Sequence, residues 1–252
     1  MNKDRFWEII DSTTGATSKE EQLELLRWEL QQLLLDELDV FKQIFSDYLV
    51  EAYNWDLWLV AWLAQRGMCS DDSFYYLRLW LISRGRNVCE NALANPEAVA
   101  ELIYEAESPS FESFGSVLTE VRHQRADRPL TNVSSEHPKK PSRGDWLRPE
   151  LKDRTGSHML NLCVVFNDMG DLEFAAIERQ FPRVWQFCIQ KGIIKVGDPQ
   201  APPHEPSERI PTPEEVARSV VDPNLAKTNF PAYLKALADA ARDEYNRRRN
   251  QE

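Results

Sequence analysis

The sequence predicts an all-α protein, with a compact helical bundle over residues 1–121 and a looser helical C-terminal region. Two observations carry this. Apolar residues recur at three- and four-residue spacing through most of the first 120 positions. Cap-forming residues and glycines punctuate those runs at helical lengths. The exception is Leu160 to Phe166, which is β-prone and reads as either one short strand near 160–166 or the start of the helix that follows.

Taken in order, Phe6, Ile9 and Ile10 share one face of a first helix, and Gly15 suits the reversal after it. Ser18-Lys-Glu-Glu21 is a capping-box pattern, in which the Ser18 oxygen takes an orphan amide and Glu21 reaches back. Leu23, Leu26, Leu30, Leu33 and Leu34 follow at helical spacing. Asp36 is the expected N-cap of the next helix, whose stripe is Phe41, Ile44, Phe45, Tyr48, Leu49 and Ala52. The run from Trp55 to Ala64 is apolar nearly all round, as befits a helix central in its domain, and the triplet Trp55, Trp58, Trp62 reads as packing. Gly67 can end it in the left-handed conformation. Ser70, Asp71 and Asp72 put a hydroxyl and two carboxylates where unpaired amides favour them, at the start of a helix carrying Phe74, Leu77 and Leu81 and ending near Gly85. Shorter helices are expected at 88–93 and 96–103, the second with Pro96 in its first turn, and a last one at 111–121.

Beyond this the pattern lapses. Pro129, Pro138, Pro141 and Pro149 interrupt a polar stretch, so residues 122–158 read as a linker or long loop. Residues 159–252 read as a helical region: Leu172, Ala175, Ala176, Phe181, Val184, Trp185 and Cys188 indicate one or two helices, 201–213 is a Pro-rich connector, and closing helices end at Arg247-Arg248-Arg249. Gly156-Ser-His-Met159 matches a common expression-vector scar; nothing else in the chain looks engineered, and it reads as coincidence.

The net charge of −11 is uneven: residues 1–120 hold 22 acids and 9 bases, residues 121–252 hold 19 and 21. An acidic half repels phosphates and anionic headgroups, so neither nucleic acid nor membrane is an expected partner, whereas a basic protein is. Cys69, Cys89, Cys163 and Cys188 have no CxxC spacing and read as reduced, mostly buried thiols. No signal peptide is evident, and the longest apolar run is far short of the roughly 20 residues that span a bilayer. The chain reads as cytoplasmic.

Three segments carry a resemblance: Ala52-Tyr-Asn-Trp-Asp-Leu-Trp58, Gly67-Met-Cys-Ser-Asp-Asp-Ser-Phe-Tyr-Tyr76 and Arg78-Leu-Trp-Leu-Ile-Ser-Arg-Gly85. With Phe6-Trp-Glu-Ile-Ile10 before them and Ala92-Leu-Ala-Asn-Pro96 after, they resemble the bacterial "domain of unknown function 4240" over roughly residues 4–105. The chain departs from that pattern at Met68, where a Gly is more usual, and at Leu77, where a Phe is. The resemblance implies a fold and a surface but no reaction.

The densest polar cluster is Trp55, Asp56, Ser70, Asp71, Asp72, Tyr75, Arg78 and Arg84. Asp71, Tyr75 and Arg78 fall on one helix face, and paired carboxylates near an Arg could perform acid–base work or hold a nucleotide- or sugar-like ligand. The plainer reading is that Ser70 and Asp71 are caps and that the other acids pair with Arg78 or Arg84 to pin helices together. His123, His137, His158 and His204 lie in loop-like segments without partners at ligand spacing, and no Gly-rich phosphate loop occurs, so no metal or cofactor is expected. With no nucleophile–base pair, the reading leans away from an enzyme. It favours a protein-interaction module, of the immunity or antitoxin kind, that sequesters a basic partner through acids such as Glu20, Glu21, Glu24, Asp36, Glu37, Asp39, Asp47 and Glu51. The alternative is an enzyme or small-ligand binder using the carboxylate and arginine cluster.

Overall fold

Short polar side chains set where the first helices begin. The computed structural model describes residues 1–125, 138, 140–154, 171–194 and 247. Asn2 caps α1 (Lys3–Ser12) by accepting from Arg5 N at 2.9 Å. Ser18 caps α2 (Lys19–Gln32) by accepting from Glu21 N at 3.1 Å. Glu21 reaches back one residue further than a capping box requires, to the amide and hydroxyl of Thr17 at 2.6 and 2.7 Å. The Thr17 hydroxyl holds its carboxyl below the ordinary value.

Helix α3 (Leu35–Glu51) starts two residues earlier than an Asp36 cap would place it. The Glu37 carboxylate accepts the Leu34 amide at 2.9 Å, so an apolar residue can stand at the cap position and Asp36 falls in the first turn. A second correction follows: Leu34 is not part of the buried stripe but 70% exposed at the α2–α3 elbow.

Asn54 opens α4 (Trp55–Ala64) by accepting from Leu57 N at 2.9 Å. Eight of the ten residues of α4 are buried, so the helix without a polar face is enclosed on nearly every side. Its exit runs through two left-handed residues, Arg66 (φ 55°) and Gly67 (φ 83°). Ser70 then caps α5 (Asp71–Ser83), and Gly85 (φ 91°) turns the chain into α6 (Arg86–Ala94). Gly85 is required by its backbone conformation, and a Cβ there would stand 2.5 Å from Asp11 Oδ1 and displace that carboxylate. A 3-10 turn at Pro96–Val99 leads into α7 (Ala100–Glu105). The helix expected at 111–121 is a 3-10 turn at Glu112–Gly115 followed by α8 (Val117–Arg125).

Helix α2 packs on α8, α4 on α7 and the turn before it, and α5 on α6. Inside, Trp7 Nε1 donates to Tyr48 Oη at 2.8 Å, and that hydroxyl donates to Glu90 at 3.0 Å, joining α1, α3 and α6. Burial is the main cause of a Tyr48 pKa above its ordinary value.

Within the stretch read as linker or long loop, α9 (Pro149–Arg154) forms, and Trp146, Leu147 and Leu151 are buried in the same core. The helices expected before Gly192 are α10 (Asp171–Gln180) and α11 (Pro182–Gln190). Glu97 accepts from Arg183 N and Val184 N at 2.8 and 3.0 Å, capping α11 from the turn at Pro96–Val99. Tyr104 meets Phe187 edge-on at 5.4 Å. These residues belong to one unit, Met1–Val196.

Among the described residues every regular element is helical, and no helix is long and apolar enough to cross a membrane. The strand or helix start at 160–166, the tetrapeptide 156–159, the 201–213 connector and the closing helices (Arg247 apart) lie outside the described residues.

Candidate functional site

The residues of the Trp-Asp-Leu-Trp and Cys-Ser-Asp-Asp motifs separate into three places. The first is the start of α4. Trp55 is buried, stacks on Trp58 at 5.7 Å, and donates its amide to Ser142 O at 2.9 Å. Asp56, half-buried, accepts from Gly144 N at 3.2 Å and from Trp146 Nε1 at 2.9 Å. Ser142 N donates to Tyr53 O at 3.0 Å, and Arg143 Nη1 donates to Leu93 O at 2.8 Å. Residues 142–147 are thus strapped across the helix start. The strap passes so close that a Cβ on Gly144 (φ 77°) would lie 2.6 Å from Trp55 Cβ. Trp58 Nε1 donates to Cys69 O at 3.0 Å, which ties the end of the α4–α5 loop to α4 and leaves the Cys69 side chain buried.

The second place is the first half of α5. Ser70 accepts from Ser73 N at 3.3 Å, and Asp72 is exposed in the first turn, which matches the capping reading of this motif. Arg78 is 1% exposed. Its Nη1 donates at 2.8 Å to Leu49 O, a carbonyl in the last turn of α3 that has no intrahelical partner. The guanidinium lies over Tyr53, Phe74 and Tyr75 at 4.7, 5.3 and 5.3 Å, an aromatic enclosure for a planar cation. Burial lowers the Arg78 pKa to about 10, against the opposing influence of Tyr53, Tyr75 and Asp71. Burial, reinforced by the Asp71 charge, raises Tyr53 to about 12. Both groups keep their protons at neutral pH, so neither is poised to exchange one there.

The third place is the C-terminal end of α5, where Arg84 is exposed with its guanidinium 5.9 Å from the Trp80 ring. The 13-residue helix separates it from Asp71 by about 20 Å. There it borders a groove of about 390 Å³ with Lys19 and Glu105. The eight residues therefore meet as a helix-start anchor, a buried cation that joins α3 to α5, and a separate surface arginine.

Two features escaped sequence reasoning. One is a surface at the α2–α3 elbow. Seven large apolar side chains stand well exposed among the described residues, and five of them are Leu25, Trp28, Leu34, Leu35 and Val40. Trp28 is 58% exposed. Residues 20–41 hold seven acids and a single base, Arg27, which is tied to Glu120 at 3.0 Å. The available signal was Leu25 and Trp28, which stand off the stripe formed by Leu26, Leu30 and Leu33. The other is a cavity beside Trp62, which is half-buried rather than enclosed in the core as the packing reading had it.

Neither the curated proteins nor the solved structures compared with this chain give a match. Residues 1–123 match the model of the family described as "Protein of unknown function (DUF4240)", the same family that the Trp-Asp-Leu-Trp and Cys-Ser-Asp-Asp motifs resemble.

Proposed function

We propose that this chain is a non-enzymatic, cytoplasmic protein-interaction module that sequesters a basic partner at the α2–α3 elbow, in the manner of immunity or antitoxin proteins. The observation that carries the reading is the exposure along α2 and the start of α3 of a Trp and four aliphatic side chains, on a segment that also exposes Glu20, Glu21, Glu24 and Asp36. Contiguous apolar surface with a polar rim is the usual make-up of a docking face, and indoles dominate the energetics of such faces. The acids select the partner by steering a cationic, amphipathic surface and repelling anionic ones.

The magnitude follows from Trp28. An indole buries about 150–250 Å² in full, so covering the 58% that is exposed removes roughly 100 Å² from water. At about 25 cal/mol per Å² that is on the order of 2.5–3 kcal/mol, or roughly 100-fold in Kd.

The test titrates a labelled Leu/Lys amphipathic helical peptide against the full chain and its Trp28→Ser variant at low and moderate salt. Expected is binding that weakens with salt and falls about 100-fold in the variant. Equal binding by the two proteins overturns the reading. Light scattering of both proteins accompanies it. A dimer that Trp28→Ser dissolves would mean that the elbow pairs with a second copy of the chain rather than with a basic protein.

A further inference from the structure

We propose that the cavity between the exit of α4 and the turn after α11 binds a small amphipathic carboxylate, its apolar body against Trp62, Phe174, Ile193 and Ile194 and its anionic head on Arg66 and Lys191. The cavity holds about 630 Å³, within the roughly 300–1,000 Å³ usual for small-ligand sites. It shares no residue with the α2–α3 elbow.

The argument rests first on the two cations. Arg66 and Lys191 converge on the same ring, Tyr104, at 5.6 and 5.1 Å, and Arg66 Nη2 also donates to the Tyr104 hydroxyl at 3.2 Å. Both cations also border the cavity itself. An anion bound in the cavity would meet both charges. In a chain with 41 acids, Arg5, Arg27, Arg86, Arg122 and Arg148 all have carboxylate partners, while among the described residues neither Arg66 nor Lys191 forms an ion pair.

A second observation concerns the backbone. Arg66 sits at φ 55°, a conformation that glycine or asparagine adopts more readily, and Gly67 follows at φ 83°. A cation is thus placed at the mouth by a turn that would form more easily without it, the kind of local strain that collects at ligand clamps.

The walls define the rest of the ligand. Beside the two cations, the Trp62 indole and aliphatic and phenyl side chains line the cavity, which suits a ligand with a hydrocarbon or aromatic body. Two cations flanking one opening suit a single carboxylate head.

Isothermal titration of the full chain with octanoate, 1-octanol and octylammonium tests this, using wild type, the Arg66→Gln/Lys191→Gln variant and Arg84→Gln as a cation control. Both altered side chains are exposed, so the fold is expected to be unchanged. Expected is octanoate binding that weakens about tenfold or more in the double variant but not in Arg84→Gln, with octanol about tenfold weaker and octylammonium silent. No heat with octanoate, equal affinity for octanol, or an unaffected double variant overturns the proposal. Sedimentation with phosphatidylglycerol vesicles is the companion experiment. Vesicle binding that octanoate does not displace, and that the double variant loses, would assign the two cations to a lipid headgroup and overturn the free-ligand reading.

Discussion

Asp56 is the residue on which a chemical and a structural reading of the helix-start motif part company. Its Oδ1 accepts from the Trp146 indole at 2.9 Å and from Gly144 N at 3.2 Å. Replacing it with Ala removes one good charge-assisted hydrogen bond, about 1.5–3 kcal/mol, and one longer bond of about 0.5–1 kcal/mol. It also strands the indole N–H of Trp146, which is buried. The expected loss is about 2–4 kcal/mol, equivalent to about 6–12 °C in Tm for a chain of this size. Asp56→Asn keeps an oxygen in the same place, and neutral hydrogen bonds are roughly half as strong, so it should lose only about 1 kcal/mol. Thermal unfolding followed by circular dichroism measures the totals. Hydrogen exchange over residues 141–154 locates them, because the strap should open before the helices do. Asp56→Ala within about 0.5 kcal/mol of wild type, or Asn as damaging as Ala, would refute the anchor.

Three other perturbations have definite expected outcomes. Gly144→Ala should destabilise by about 2–3 kcal/mol in urea unfolding, since the new Cβ meets Trp55 Cβ at 2.6 Å on a backbone with φ 77°. Tyr48→Phe should lose about 1–3 kcal/mol, almost all of it from the stranded Trp7 N–H, because Glu90 is open to water and also pairs with Arg86; a double cycle with Trp7→Phe should therefore be strongly non-additive. Burial pushes the Cys89 thiol up and raises Cys188 to about 11, so their peptides should stay unlabelled by a maleimide in native buffer and become labelled in urea. Labelling at equal rates in both conditions would show that these side chains are not enclosed.

Much of the helical array was legible because its signals are local. Ser18 and Ser70 each place a hydroxyl directly before an amphipathic run, and the apolar circumference of α4 can come only from a helix enclosed by its neighbours. The start of α3 was misjudged because the helix begins without a polar side chain at its cap, its first turn held instead by the Glu37 carboxylate on the Leu34 amide, an arrangement that composition does not distinguish from Asp36 capping. The strap was illegible for a different reason. Trp146, Leu147 and Leu151 are too few to declare a stripe among the prolines around them, and what anchors Trp146 is Asp56, 90 residues upstream. The candidate cluster was half legible. Its members were found, but spacing along α5 could not show that Arg78 turns inward to the end of α3 while Arg84 faces out at the other end. Arg66 and Lys191 come to share Tyr104 and one cavity only once α11 is docked.

The cap that Glu97 gives to α11 has a consequence for the order in which the molecule is made. The carboxylate precedes the amides it receives by 86 and 87 residues, so at about 5–20 residues per second it leaves the ribosome roughly 4–17 s before them. During that interval the first seven helices, whose residues have all been made, can close around α4, and the Glu97 carboxylate is already in position when Pro182 emerges. Helix α11 then forms against a finished template rather than nucleating by itself, and a nascent chain stalled before residue 180 would already present that template.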